Sequence, residues 1–183
     1  MPTLKQQPIP KPFESHFAKV GIQVKPYASV EQFEKDLMVF LQRNHVLHLS
    51  LCKDNTPRST PLEYRLDGMV FYVLSAGGAK FGYLERNNNV SFSIAEPYDS
   101  NADYFGYKGL QAWGTAEIIS KSEHGEAFDR AFSKLNCEEI LEQLGVAELL
   151  PGMNYRFIKL TPHRIKYQNP REGIFRVTWK RDG

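Results

Sequence analysis

The residues best suited to chemistry lie between Met69 and Arg86. The apolar run Met69-Val70-Phe71-Tyr72-Val73-Leu74 ends at Ser75, Gly77 and Gly78 follow, and Lys80 opens a short helical stretch to about Arg86. Amides exposed where a helix begins favour an anion, and glycines let that anion come close to the backbone. A hydroxyl and an ammonium at the same place suit a phosphomonoester. Neither the P-loop spacing nor GxGxxG is present, so this is not a standard nucleotide motif. Read alone, the same stretch is also an ordinary glycine turn with a solvated lysine.

A second group strengthens the anion reading. Arg58-Ser59-Thr60 begins the strand that precedes the Asp67-Gly68 hairpin signal. If residues 58–66 pair with 69–75, Arg58 falls near the far end of the second strand, close to Ser75. Two cations and several hydroxyls then converge. Arg supplies planar two-pronged bonding and Lys a point charge, an arrangement that suits a dianionic phosphate. Taken alone, Arg58 is equally a rim charge after a turn.

The elements that must hold these residues follow from spacing. Residues 1–14 carry Pro2, Pro8, Pro10 and Pro12. They predict an extended arm rather than a helix, lying free or on a neighbouring subunit. Residues 1–28 are taken together as a Pro-rich N-terminal arm, and 29–183 as one domain. Ser29-Val30-Glu31-Gln32 has the form of a capping box, and Val30, Phe33, Leu37, Phe40 and Leu41 share one face, predicting a helix over about 29–43. Strands are predicted at 45–51, 58–66, 69–74, 90–95, 109–119, 155–167 and 174–179. Pro61 marks an edge or bulge in the second. Ser120-Lys121-Ser122-Glu123 reads as another capping box, and Asn136-Cys137-Glu138-Glu139 as the start of a further helix ending near Gly145, so added helices span about 122–147. The order of helix, strands, helices and strands gives a mainly β, α+β antiparallel or barrel-type domain. It does not alternate as a parallel α/β sheet does.

With those elements in place the sequence resembles a family. Gly68-Met69-Val70-Phe71-Tyr72, Ser75, Lys80, Leu84-Glu85-Arg86-Asn87-Asn88-Asn89-Val90-Ser91, Gly114-Thr115-Ala116-Glu117, Pro162-His163-Arg164-Ile165-Lys166-Tyr167 and Trp179 stand in the order found in the pyridoxamine 5'-phosphate oxidase-like, FMN-binding split-barrel proteins. The resemblance runs from about residue 45 to 180. It implies a six-stranded antiparallel split β-barrel with peripheral helices, a homodimer, and FMN in a groove between subunits. It implies that Arg58, Ser59 and Thr60 contact the cofactor, and that Tyr72, Val73, Leu74 and Ser75 lie near the flavin with Lys80 at its phosphate. Trp113 and Trp179 read first as core or interface residues, with a place for Trp179 near the cofactor or the dimer seam as the alternative. The flavin would carry the hydride or electrons while the protein positions and tunes it.

The chain departs from the pyridoxamine phosphate oxidase pattern in two places. The short connection Gln168-Asn169-Pro170-Arg171-Glu172-Gly173 lacks the Arg-Leu-His-Asp-Arg segment that grips that enzyme's substrate, and Gln111 is displaced by two residues from the family glutamine, where Gly109 stands. The expectation is therefore a flavin-dependent oxidoreductase acting on another small molecule, with catalytic residues unassigned. The alternative is a non-catalytic flavin- or haem-binding split barrel. The sequence does not separate FMN from a deazaflavin.

Other residues bear on what the chain is not. There are 183 residues, with 23 basic against 21 acidic and a net charge of +2, so no strongly basic surface invites nucleic acid. Apolar residues make up 42% and charged residues 24%, the composition of a chain that folds. No apolar run reaches the ~20 residues that span a bilayer, and no apolar stretch follows Met1-Pro2-Thr3-Leu4-Lys5 as a secretory signal requires. Two lone cysteines, Cys52 and Cys137, form no metal motif or disulfide framework, and a reducing cytoplasm is the expected location. Cys137 starts a helix, where a thiol pKa can fall, yet without a neighbouring His or second Cys it reads as structural. His45 and His48 sit three apart in a strand and face opposite ways, against a metal pair. His163 is isolated at a strand start, where an axial haem ligand is the chemical role open to it. Tyr98, Tyr104, Phe105 and Tyr107 lie in a long loop at 96–108, either packing it down or stacking on an aromatic substrate.

Overall fold

The structure is a computed structural model that describes residues 1–182. In chain order the elements are β1 (Thr3–Gln6), α1 (Lys11–Lys19), α2 (Val30–Arg43), β2 (Val46–Lys53), β3 (Thr56–Glu63), β4 (Arg65–Asp67), β5 (Val70–Ser75), α3 (Lys80–Leu84), β6 (Asn89–Ala95), β7 (Gly109–Ser120), α4 (Gly125–Lys134), α5 (Glu138–Leu144), β8 (Arg156–Asn169) and β9 (Ile174–Lys180), with a 3-10 turn at Pro170–Glu172. The strands hydrogen-bond in the order β1-β9-β8-β7-β6-β2-β3, while β5 joins β4 to β8. The pairs β1–β9, β4–β5, β5–β8 and β8–β9 are antiparallel. A mostly antiparallel sheet with peripheral helices is the expected split-barrel class. It holds more than six strands partly because the N-terminal arm adds β1, and because the strand predicted at 58–66 breaks at buried Tyr64 into β3 and β4.

The chain divides into two compact units. The first takes Met1–His48, Ser91–Trp113 and the chain from Pro162 onward; the second takes Leu49–Val90 and Gly114–Thr161. Strands β2, β6, β7 and β8 contribute residues to each.

In the first unit, α2 forms as its pattern predicts. The Ser29 hydroxyl accepts from the Gln32 amide at 3.2 Å, and the Gln32 side chain accepts from the Ala28 amide at 3.1 Å. The helix buries Phe33, Leu37, Phe40 and Leu41. Tyr167 of β8 packs edge-on to Phe33 and Phe40, at 6.1 and 5.4 Å between ring centroids. The N-terminal arm is not simply extended. Residues 11–19 are helical, because Pro12 stands in the first turn, where an amide has no partner within the helix and the ring's fixed φ suits the start. Phe17 of α1 stacks on Phe175 of β9 at 4.6 Å, and β1 pairs with β9 from Thr3↔Lys180 to Gln6↔Val177. At the β8–β9 turn Gly173 has φ +75°, and its carbonyl accepts from the Lys25 amide at 2.9 Å.

In the second unit, β4 and β5 form the hairpin expected from Asp67-Gly68, with Gly68 at φ +55° and Arg65 opposite Tyr72. Strand β5 then pairs with β8 from Phe71↔Leu160 to Ser75↔Arg156. Ile119, Phe128, Leu135, Cys137 and Phe157 form a buried cluster under α4 and α5. Helix α4 starts later than the Ser120-Lys121-Ser122-Glu123 pattern predicts. The Ser120 hydroxyl is engaged with that of Ser122 at 2.9 Å, and the Ser120 amide donates to His124 Nδ1 at 3.2 Å, so the helix begins only after His124.

Candidate functional site

The site is built in the second unit on the turn between β5 and α3. Ser75 closes β5, and its hydroxyl donates to the Gly77 carbonyl at 3.1 Å and accepts from the Gly77 amide at 3.4 Å. Gly78 follows at φ +103°, a conformation that L side chains rarely adopt, and a Cβ there would stand 3.2 Å from Lys80 Nζ. The turn thus folds back and brings the Lys80 ammonium onto the Gly77 carbonyl. Lys80 is 9% exposed, one of few charged side chains so enclosed.

Its charge has no acidic partner among the described residues. The Lys80 ammonium titrates below its ordinary value, first because burial disfavours the charged form, then because Arg58 and Arg156 add positive charge nearby. The Arg58 charge acts on Lys80, but not through the expected hairpin: only 65–67 pair with 70–72, and β3, which carries Arg58, pairs with β2 instead of β5. Arg156 was not legible as a candidate. It opens β8 opposite Ser75, stacks its guanidinium 3.4 Å from the Phe81 ring centroid, and keeps a buried Nε with no hydrogen-bond partner. Its only sequence signal is position at a strand start, which acquires meaning once β5 is known to pair with β8.

Three cations held together without a carboxylate repel one another, and a bound dianion would relieve that repulsion. The orphaned Arg156 Nε is a spare donor for the same purpose. The donor set fits a phosphate group.

The remaining expected residues are distributed around this point. On β3, Arg58 and Ser59 are exposed and Thr60 is half-buried. Strand alternation puts Arg58 and Thr60 on one face and Ser59 on the other. On β5, Tyr72 and Leu74 line a cavity of about 220 Å³ with Ser75, Arg65, Tyr155 and Phe157, whereas Val73 is 1% exposed and belongs to the core. Trp179 lies in the first unit, 2% exposed, its indole N–H donating to Glu34 at 2.7 Å. The Cys137 thiol is pushed up to about 11, with burial as the main cause, which overrides any effect of the helix start and leaves it a protonated core group. His45 and His48 are both exposed, and among the described residues no three His, Cys, Asp or Glu side chains group as a metal site.

The sequence profile described as pyridoxamine 5'-phosphate oxidase matches residues 34–150. The chain belongs to the pyridoxamine 5'-phosphate oxidase family. This is a family of flavin-binding split-barrel proteins. No curated protein matches the sequence. Among solved structures, a candidate pyridoxamine 5'-phosphate oxidase from Listeria innocua aligns with a TM-score of 0.58 at 23% identity, over 75% of this chain and 98% of that one. General stress protein 26 from Bacillus anthracis aligns at 0.52 and 20% identity, over 75% and 95%. A heme binding protein from Mycobacterium smegmatis aligns at 0.55 and 15% identity, over 84% of this chain and 57% of that one. These likenesses establish the fold. Within it this family member closes β8 to β9 through the Pro170–Glu172 turn, where the longer phosphate-gripping segment was missing from the sequence. Among the described residues no helix is long and apolar enough to cross a membrane.

Proposed function

We propose that the chain is an FMN-binding flavoprotein and that it works, as a cytoplasmic homodimer, as a flavin-dependent oxidoreductase on a small molecule other than pyridoxamine phosphate. The observation that carries this reading is the uncompensated trio Lys80, Arg58 and Arg156, with an orphaned buried donor on Arg156. Lys80, Arg58 and Arg156 would hold the phosphate. Ser59, Thr60 and Ser75 would supply hydroxyl and amide donors around it. The edge of β5 at Tyr72 and Leu74 would run beside the ring system, whereas Val73 and Trp179 stay in the core. When bound, the flavin supplies the two-electron chemistry. The chain's own part is to fix the charged tail, orient the ring and exclude water. Membranes and nucleic acid have no part in this reading.

A second reading, a non-catalytic flavin- or haem-binding protein, draws on the fold shared with the heme binding protein and on exposed His163 near the middle of β8. One set of spectra separates them. The protein as isolated, or titrated with FMN, is expected to show the yellow flavin band with quenched flavin fluorescence, and NADH or NADPH is expected to bleach it. A flavin that binds but resists both reductants favours a carrier, and a Soret band on adding haem favours the haem protein. No spectral change with either cofactor sinks both readings.

A further inference from the structure

The first unit holds a cavity of about 590 Å³, well within the size range of small-molecule sites. It takes its walls from β6, β7, β8 and β9 and from the 96–108 loop. Gly109 lets β7 start against β6, since a Cβ there would stand 2.8 Å from the Ile94 carbonyl oxygen. Two phenol rings from the loop, Tyr98 and Tyr107, form one corner, 6.1 Å apart at 59°. They are not the residues that pin the loop. Phe105 does that, edge-on to Phe17 at 5.7 Å, leaving the two tyrosines facing the cavity.

The charges in the cavity do not balance. Glu96 is engaged, its carboxylate 3.3 Å from Lys108 Nζ and accepting from Asn44 at 3.4 Å. Lys166 and Arg176 have no carboxylate partner among the described residues, although both line the cavity. Lys166 lies 5.7 Å from the Trp113 ring centroid. The Arg176 charge acts on the Tyr107 hydroxyl. Arg176 also holds φ +49°, a left-handed backbone that a bulky side chain adopts at a cost. Gln111 adds an uncharged polar group to the same wall.

We propose that this cavity binds a planar aromatic carboxylate, its ring against Tyr98 and Tyr107 and its carboxylate held by Arg176 and Lys166. The guanidinium fork matches a carboxylate, and the loop tyrosines supply stacking faces with a wet hydroxyl edge. The site is defined by residues of one unit and does not depend on the phosphate cluster.

The probe is 2-naphthoate, followed by its fluorescence anisotropy with the full chain as purified. Saturable binding is expected, with 2-naphthamide, of the same shape but uncharged, at least tenfold weaker. Arg176→Gln and Lys166→Met, both at exposed positions, are each expected to weaken 2-naphthoate about tenfold while unfolding at the wild-type temperature. Lys80→Met is expected to leave it unchanged, so a failure of FMN binding would not disturb this result. Equal affinity for acid and amide, or indifference to both cavity variants, overturns the proposal. Competitive displacement of 2-naphthoate by FMN also overturns it, because the cavity would then belong to the flavin.

Discussion

Ser75 and Arg156 stand opposite each other where the β5–β8 ladder ends. One residue closes the strand that leads into the glycine turn, and the other opens the strand beside it. The pairing delivers a guanidinium to the place where Ser75 and Lys80 both bond the Gly77 carbonyl. The cationic cluster is thus a product of register, assembled from three separate stretches of sequence.

The first prediction tests that cluster as a phosphate site. Lys80→Ala is expected to weaken FMN by about 1–3 kcal/mol, the range for losing a charge-assisted hydrogen bond. Arg156→Gln is expected to do the same. Neither should weaken riboflavin, which has the ring but no phosphate. Fluorescence titration with both flavins reads the difference, and an equal loss for both would show that the two cations act on the ring or on folding.

The same cluster makes an opposite prediction without ligand. Lys80 titrates below its ordinary value, so the folded chain holds its proton less tightly than the unfolded chain. Burial of the ammonium, and after it the like charges of Arg58 and Arg156, oppose folding while Lys80 is protonated, and stability is regained as pH rises between the lowered value and the ordinary 10.5. Lys80→Met removes one of the three charges while keeping most of the buried stem. Its thermal midpoint at pH 7 without flavin should equal or exceed the wild type, whereas added FMN should raise the wild-type midpoint more. A marked loss of stability in the ligand-free variant would mean that Lys80 is a structural residue.

How much of this was legible depended on whether a feature is local. The α2 start was readable because Ser29 and Gln32 make their cap within four residues. The β4–β5 hairpin was readable from Asp67-Gly68, but its extent was not: pairing stops at 65–67 with 70–72, and the strand that carries Arg58 pairs with β2 instead. Arg156 was hidden, since its meaning comes from pairing with a strand some eighty positions earlier in the chain. Helix α1 was hidden by its prolines, which exclude a helix interior but not a first turn. The Ser120 pattern misled because that serine found a nearer partner in Ser122. The loop tyrosines were seen, but which aromatics pack and which line a cavity depends on Phe17 of α1.

The buried thiol gives a third test. Cys137 ionises near 11 in the folded chain against an ordinary 9.0, so its contribution to stability is full below pH 9 and is lost as pH rises through the folded value. Exposed Cys52 should react with a thiol reagent in native protein, and Cys137 only after unfolding. Urea unfolding at pH 7.5 and at pH 10 should show a smaller alkaline loss in Cys137→Ala than in the wild type. Two thiols reacting at once under native conditions would place Cys137 outside the core.

The fourth prediction contrasts two glycines. A Cβ at Gly173 would run into the Gln23 carbonyl and stand 3.2 Å from the Lys25 amide nitrogen, at a φ of +75°. Gly173→Ala is expected to cost about 2–4 kcal/mol, towards the upper end for single substitutions. Gly82, inside α3, has nothing within 4 Å of an added methyl, so Gly82→Ala should be neutral or stabilising by up to about 1 kcal/mol. Denaturant midpoints of the two variants decide the matter, and similar values for both would undo the account of the β8–β9 turn.

The last prediction concerns the loop that supplies the cavity tyrosines. Arg171 grips Asp103 with two donors, Nε to one carboxylate oxygen at 2.6 Å and a terminal nitrogen to the other, and its guanidinium carbon lies 5.9 Å from the Phe105 ring centroid. The Asp103 carboxyl titrates below its ordinary value chiefly because Arg171 donates to it, so the pin holds at neutral pH and is lost only as acid protonates Asp103. Arg171→Ala should release the loop while leaving the β8–β9 turn closed by Gly173. Limited chymotrypsin digestion is expected to cut near Tyr104 and Phe105 several-fold faster in Arg171→Ala, with Asp103→Asn behaving alike and the double variant adding little. That non-additivity marks a single shared contact. Cleavage rates unchanged in both single variants would assign the order of this loop to Phe105 and Phe17 alone.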